Sequence, residues 1–163
     1  MTPALRIEPL SPQTRDGAKA LIRRVWTEHF GQHPDPLVRD YMDDERVLSG
    51  LSPETYSPPK GLFLVVRDGD AVVGCGGVLQ MADGRHAFHR LYVAASHRRL
   101  SLAQRIMAAC TEFARQHGGH TLCLSSNKAL TVSHRFYRNL GFEPTDAWDE
   151  HIAPYAYFFQ RAL

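Results

Sequence analysis

Leu91-Tyr92-Val93, followed three residues on by His97-Arg98-Arg99-Leu100-Ser101-Leu102-Ala103-Gln104, is the stretch whose reading decides the fold. An apolar strand stops, a short basic turn follows, and a long amphipathic helix begins. Leu102, Ala103, Ile106, Met107, Cys110, Phe113 and Ala114 recur at helical spacing, and Gly118-Gly119 ends the run. This order aims several backbone N–H groups and the positive end of a helix dipole at one spot, where a phosphate can sit. Arg98 and Arg99 add charge-assisted donors to the same oxygens.

Upstream, Gly61 to Arg67 reads as an apolar strand, Asp68-Gly69-Asp70 as a hairpin turn, and Ala71 to Met81 as the return. Ala82-Asp83-Gly84 turns again into a strand from His86 to Val93, completing an antiparallel meander. Ahead of it lies a strand from Leu5 to Leu10. Ser11 then offers an N-cap with Pro12 at the first helical position. Ala18, Leu21, Ile22, Val25, Trp26 and Phe30 predict a helix from about Pro12 to Phe30. Asp35-Pro36 repeats the start signal for a second helix bearing Leu37, Val38, Tyr41 and Met42, and Ser49 to Pro59 is a loop.

Downstream, Thr121 to Ser125 is a strand. Val132, Phe136 and Leu140 mark a helix stopped at Gly141. Tyr155 to Gln160 is an aromatic strand whose partner opens at Phe142. The pattern is an α/β domain with a mixed sheet: two helices early, one after the meander and one near the end.

A chain of 163 residues fits one domain, residues 1–163, large enough to bury a core. Its 44% hydrophobic and 22% charged residues are ordinary for a globular protein, and a net charge of +2 is too small to imply nucleic acid. Cys75, Cys110 and Cys123 are odd in number and widely spaced, which suits buried thiols in a reducing compartment. No N-terminal run resembles a signal peptide, and no stretch approaches the ~18 apolar residues of a membrane span. A cytoplasmic protein is expected.

Three tempting motifs fail on physical grounds. Gly74-Cys75-Gly76-Gly77 lies within a strand, whereas a dinucleotide fingerprint must open a helix; close packing or a bulge explains it. His86 and His89 lie three apart on a strand and face opposite ways, His117 and His120 lack a third ligand, and no metal is expected. Ser125-Ser126 follows a strand but lacks the nucleophile turn.

The strand, basic turn and helix, taken with Phe136-Tyr137-x-x-x-Gly141-Phe142, resemble the GNAT acetyltransferase superfamily. Leu91-Tyr92-Val93 with Arg98-x-x-Ser101-x-Ala103 is similar to its acetyl-CoA loop. The resemblance covers residues 60–143 best. It implies a mostly antiparallel central sheet flanked by about four helices, with splayed strands forming the acetyl-CoA cleft. It also implies that main-chain amides of Arg98, Arg99, Leu100, Ser101, Leu102, Ala103 and Gln104 hold the pyrophosphate. Leu91, Tyr92 and Val93 would bond the pantetheine arm, Asn127 and Leu130 would line its other side, and Tyr137 would protonate the departing thiolate.

The chain departs from the pattern at Arg99 and Ser101, where the family has glycines, and at Ala87, where many members carry a glutamate base. His89, on the strand face of Ala87, is the candidate base in its place, beside a water relay or an amine that arrives neutral. The acceptor is expected to be a primary amine, drawn as a cation by Asp35, Asp40, Asp43, Asp44, Glu45, Asp146, Asp149 and Glu150. Trp26, Trp148 and Tyr155 would supply an apolar wall. No nucleic acid or membrane partner is expected, and a monomer or homodimer fits equally. Two other classes stay open: a catalytically silent acyl-CoA sensor, and a module whose basic turn meets RNA or another acidic partner.

Overall fold

Two Asp-Gly turns let three apolar runs fold back on one another, and the rest of the sheet is built outward from them. A computed structural model describes residues 4–163. The chain runs through β1 (Arg6–Pro9), α1 (Arg15–Phe30), α2 (Pro36–Arg39) and two 3-10 turns, Tyr41–Asp43 and Glu45–Leu48. The meander follows as β2 (Gly61–Asp68), β3 (Ala71–Gln80) and β4 (His86–Val93). A 3-10 turn, Ala95–His97, leads to α3 (Leu102–Gln116), β5 (Thr121–Asn127), α4 (Thr131–Asn139), β6 (Glu143–Thr145) and β7 (Ala156–Ala162). Seven strands form one sheet in the order β1-β2-β3-β4-β5-β7-β6, parallel at β4–β5 and antiparallel elsewhere. The expected mixed, mostly antiparallel α/β fold is present.

Helix α1 buries Ala18, Leu21, Ile22 and Val25, and α3 buries Leu102, Ile106, Met107, Cys110, Phe113 and Ala114. At roughly 2 kcal/mol for each fully buried large side chain, these stripes hold the helices to the sheet.

Several boundaries differ from expectation. The predicted Ser11 cap is not made. Ser11 O instead accepts from the N–H groups of Thr14 and Arg15, both at 3.1 Å, so a turn occupies residues 12–14 and α1 starts at Arg15. The second early helix is a single turn, with Asp35 Oδ1 accepting from Leu37 N–H at 2.9 Å as its cap. Strand β3 ends at Gln80, one residue before Met81. Strand β5 runs on to Asn127 because β7 pairs with it at all seven positions, and β7 spans Ala156–Ala162. Phe142 precedes β6, which pairs with β7 from Glu143.

Two irregularities shape the centre. On β4, Tyr92 pairs with Cys75 and His89 with Gly77, so Arg90 and Leu91 both oppose Gly76. This is a β-bulge, with Arg90 at φ 60°. The second is at β4–β5, which register only at His86↔Leu122 and Ala87↔Cys123. Beyond those pairs the outer edge of β4 has no strand beside it.

Candidate active site

The free edge of β4 runs from Phe88 to Val93 and leads straight into the turn before α3. Backbone groups along such an edge need partners, from water or from a bound amide. At its end lies a cleft of about 310 Å3, lined by Val93, Arg98, Arg99, Ser101, Ala103 and Gln104, with Phe136 of α4 facing them. Arg99 and Ser101 adopt left-handed backbone, φ 69° and 59°. These are the two positions where the acetyl-CoA loop that this turn resembles carries glycine. Ser101 occupies the N-cap position of α3, but its hydroxyl makes no capping bond. The head of a fifteen-residue helix therefore faces the cleft with its orphan N–H groups and positive dipole end. Arg98 is tethered nearby: its Nε donates to Val93 O at 3.2 Å and its Nη2 to Glu28 Oε2 at 3.2 Å. His97 pairs with Asp68 at 2.8 Å.

Tyr137 is buried, on the inner face of α4 against Phe136, Phe142 and Phe159. Burial, with a smaller contribution from Tyr92, raises its pKa well above the usual phenol value. Its hydroxyl therefore keeps its proton through the neutral range.

The bulge puts His89 and Tyr92 on the same face of β4 despite their spacing of three. The opposite face is marked by Gly76, whose missing Cβ would touch Ile106, Phe88 and Leu91. The His89 ring stands 6.0 Å from that of Tyr56, and its Nε2 is buried without a partner. Burial, helped by the charge of Arg90, lowers its pKa to about 4. Tyr92 is pushed the other way, to about 12, by burial, with Arg90 partly opposing the rise.

The elements bring Arg98, Arg99, Ser101, Leu102, Ala103, Gln104 and Val93 to one cleft, with Leu91 and Tyr92 just upstream on the same strand; the Leu100 side chain is exposed and does not line it. Asn127 and Leu130 do not line that cleft. The Asn127 side chain accepts from Ala129 N–H at 2.9 Å, and its backbone oxygen faces His134 Nε2 at 3.0 Å. His86 lies wholly buried on the other face of β4 from His89. Among the described residues, no three His, Cys, Asp or Glu side chains converge as ion ligands. The acids near α2 are balanced internally: Asp40 pairs with Arg39, Asp44 with Arg46 and Glu45 with Arg23.

Sequence reasoning missed Phe136, Tyr56 and Arg90. Phe136 stood in the quoted motif beside Tyr137, and its helical spacing toward the turn was the available signal. Tyr56 lay in a loop without periodicity, and Arg90 was hidden by the bulge.

No curated protein matches the chain in a sequence search. Solved structures do match its fold. A PaiA N-acetyltransferase from Thermoplasma acidophilum, in complex with coenzyme A, is 16% identical with a TM-score of 0.78, covering 98% of this chain and 99% of that one. A GNAT acetyltransferase from Staphylococcus aureus is 16% identical, TM-score 0.76, covering 98% and 99%. An acetyltransferase from Streptococcus agalactiae is 17% identical, TM-score 0.76, covering 98% of both. The model of the acetyltransferase (GNAT) family matches residues 18–142, well over half of the sequence. A parted β4–β5 pair, a helix head aimed at its mouth and that match lead to one conclusion: the chain belongs to the GNAT family of acetyltransferases.

Proposed function

We propose that the protein is an N-acetyltransferase that transfers an acetyl group from acetyl-CoA to a primary amine of a small molecule or peptide, by direct attack in a ternary complex. The observation that carries this reading is the unpaired edge of β4 running into a left-handed turn at the head of α3. The edge fits an amide-bearing arm, and the turn with Arg98 and Arg99 fits a pyrophosphate. Bound there, acetyl-CoA supplies the thioester. Main-chain groups of Leu91 and Val93 orient the arm, and the amides from Arg98 to Gln104 hold the phosphates. A backbone N–H near Val93 stabilises charge developing on the carbonyl oxygen. As the amine's C–N bond forms and the C–S bond breaks, Tyr137 gives its proton to sulfur. Asn127 and Leu130 flank the β5 side.

His89 is the proposed acceptor of the amine's proton. It is neutral above pH ~4, the form that accepts. Its weak basicity suits a nitrogen already acidified by attack rather than a free alkylammonium. Asp43, Asp146 and Glu150, which lack ion-pair partners among the described residues, draw a cationic amine to the mouth. Among the described residues no helix is long and apolar enough to cross a membrane, and three free buried cysteines suit a reducing cytoplasm. Each residue named comes from one chain, so the reading holds for a monomer or a homodimer.

The test is calorimetry with CoA and acetyl-CoA, then thiol release with a broad amine panel. Tyr137→Phe is expected to lower kcat by roughly 10²–10⁴-fold while CoA affinity changes little. Absence of binding at millimolar coenzyme ends the proposal. Binding without turnover on any amine turns the protein into an acyl-CoA sensor, a reading to which Ala87, Arg99 and Ser101 lend support.

A further inference from the structure

The guanidinium of Arg90 is the feature of this site that the transfer reaction leaves unused. It springs from the β4 bulge, is half-buried, and has no carboxylate within ion-pair distance among the described residues. Neighbouring arginines are matched: Arg23 to Glu45, Arg39 to Asp40, Arg46 to Asp44. Arg90 Nη2 donates to Val47 O at 3.0 Å, and the guanidinium also bonds the Tyr92 hydroxyl. A guanidinium has five N–H donors, so donors beyond these two remain for another acceptor.

Its position ties it to the chemistry. The charge of Arg90 reaches His89, Tyr56 and Tyr92, and Tyr92 in turn lies within electrostatic reach of Tyr137. Beside it stands Tyr56, packed on Phe63 at 4.9 Å and facing the His89 ring at 6.0 Å. Taking the acetyltransferase reading as given, we propose that Arg90 is a specificity-determining residue that binds a carboxylate on the acceptor. The acceptor is then an amino-acid-like primary amine, its acid group on Arg90 and its apolar body against Tyr56. One fixed cation matches the single charge of a carboxylate. A phosphate dianion would leave negative charge uncompensated among aromatic rings.

The experiment compares phenylalanine with phenylalaninamide, phenethylamine and phosphoethanolamine in the thiol-release assay, with CoA binding measured separately by calorimetry. Phenylalanine is expected to lead in kcat/KM by at least tenfold. Arg90→Gln should raise its KM on the order of 10- to 100-fold, as loss of charge-assisted bonds does, with kcat and CoA affinity little changed. Arg90→Lys should recover part of the loss. Because Arg90 also braces Val47, the wild-type protein supplies a second reading: 3-phenylpropanoate should inhibit competitively with the acceptor, and 3-phenylpropanol should not. Equal or better use of the amide or the decarboxylated amine overturns the assignment. So does preference for phosphoethanolamine, or CoA binding with no turnover of phenylalanine and no inhibition by the acid. Failure to bind CoA overturns the acetyltransferase reading instead.

Discussion

Arg99 and Ser101 hold φ values of 69° and 59°, a region that costs an L-residue roughly 1–2 kcal/mol. Glycine avoids that cost but loses about 0.5–1 kcal/mol more backbone entropy on folding. The Ser101 hydroxyl makes no capping bond that a substitution would remove. Ser101→Gly is therefore expected to leave stability unchanged or improve it by up to ~1 kcal/mol. It should also tighten CoA several-fold, because no β-carbon then stands over the helix-head amides. Thermal melts and calorimetric titration check both; weaker CoA binding would show that the hydroxyl itself holds a phosphate. The two substituted glycine positions were legible in the sequence, as was the turn they occupy. Arg90 was not, because a bulge adds one residue without altering composition, and the run His86 to Val93 reads as an unbroken strand.

Strand β3 shows what its glycines are for at the scale of one element. Gly76 and Gly77 point to opposite faces, and each is filled by a neighbour. A Cβ on Gly76 would sit 2.7 Å from Ile106 Cγ2, and one on Gly77 2.5 Å from Phe63 Cδ2 and 2.9 Å from the Leu62 carbonyl oxygen. Close packing, not nucleotide binding, accounts for Gly74-Cys75-Gly76-Gly77. Since the Leu62 contact is backbone and cannot swing aside, Gly77→Ala should destabilise by about 1–3 kcal/mol through overpacking, which denaturant unfolding would measure. An unchanged midpoint would mean the strand shifts freely at its centre. Long periodic elements such as α1, α3 and β2 were readable because many residues vote for the same face. The second early helix failed for a local reason. Asp35 and Asp44 each cap a start, Asp44 Oδ1 accepting from Arg46 N–H at 2.9 Å, and two start signals so close divide one helix into short turns. The far end of β5 was equally hidden, since its length is set by β7 across the sheet.

Over the whole molecule, buried imidazoles tie stability to pH. His86 is sealed in the core, with neither ring nitrogen hydrogen bonded. Gly119 packs against this ring, where a Cβ would lie 2.7 Å from Nδ1. Burial first, then the charges of His117 and His120, lower its pKa, and burial lowers that of His134 as well. His89 falls to about 4 from 6.5. All three prefer the neutral ring when folded, whereas the unfolded chain binds their protons near pH 6.5. The stability they contribute is thus complete above pH ~6.5 and is lost as pH falls toward the folded values, His89 alone accounting for about 3 kcal/mol by pH ~4. The carboxylates with lowered values, Asp40, Asp44 and Asp83, lose theirs only below 3.8, so the two acid windows are separate. Melting temperature should fall steadily between pH 6.5 and 4, and His89→Phe should flatten that slope while leaving the carboxylate loss below it unchanged. A melting temperature constant across that interval would mean that these rings find water or a partner in the folded chain.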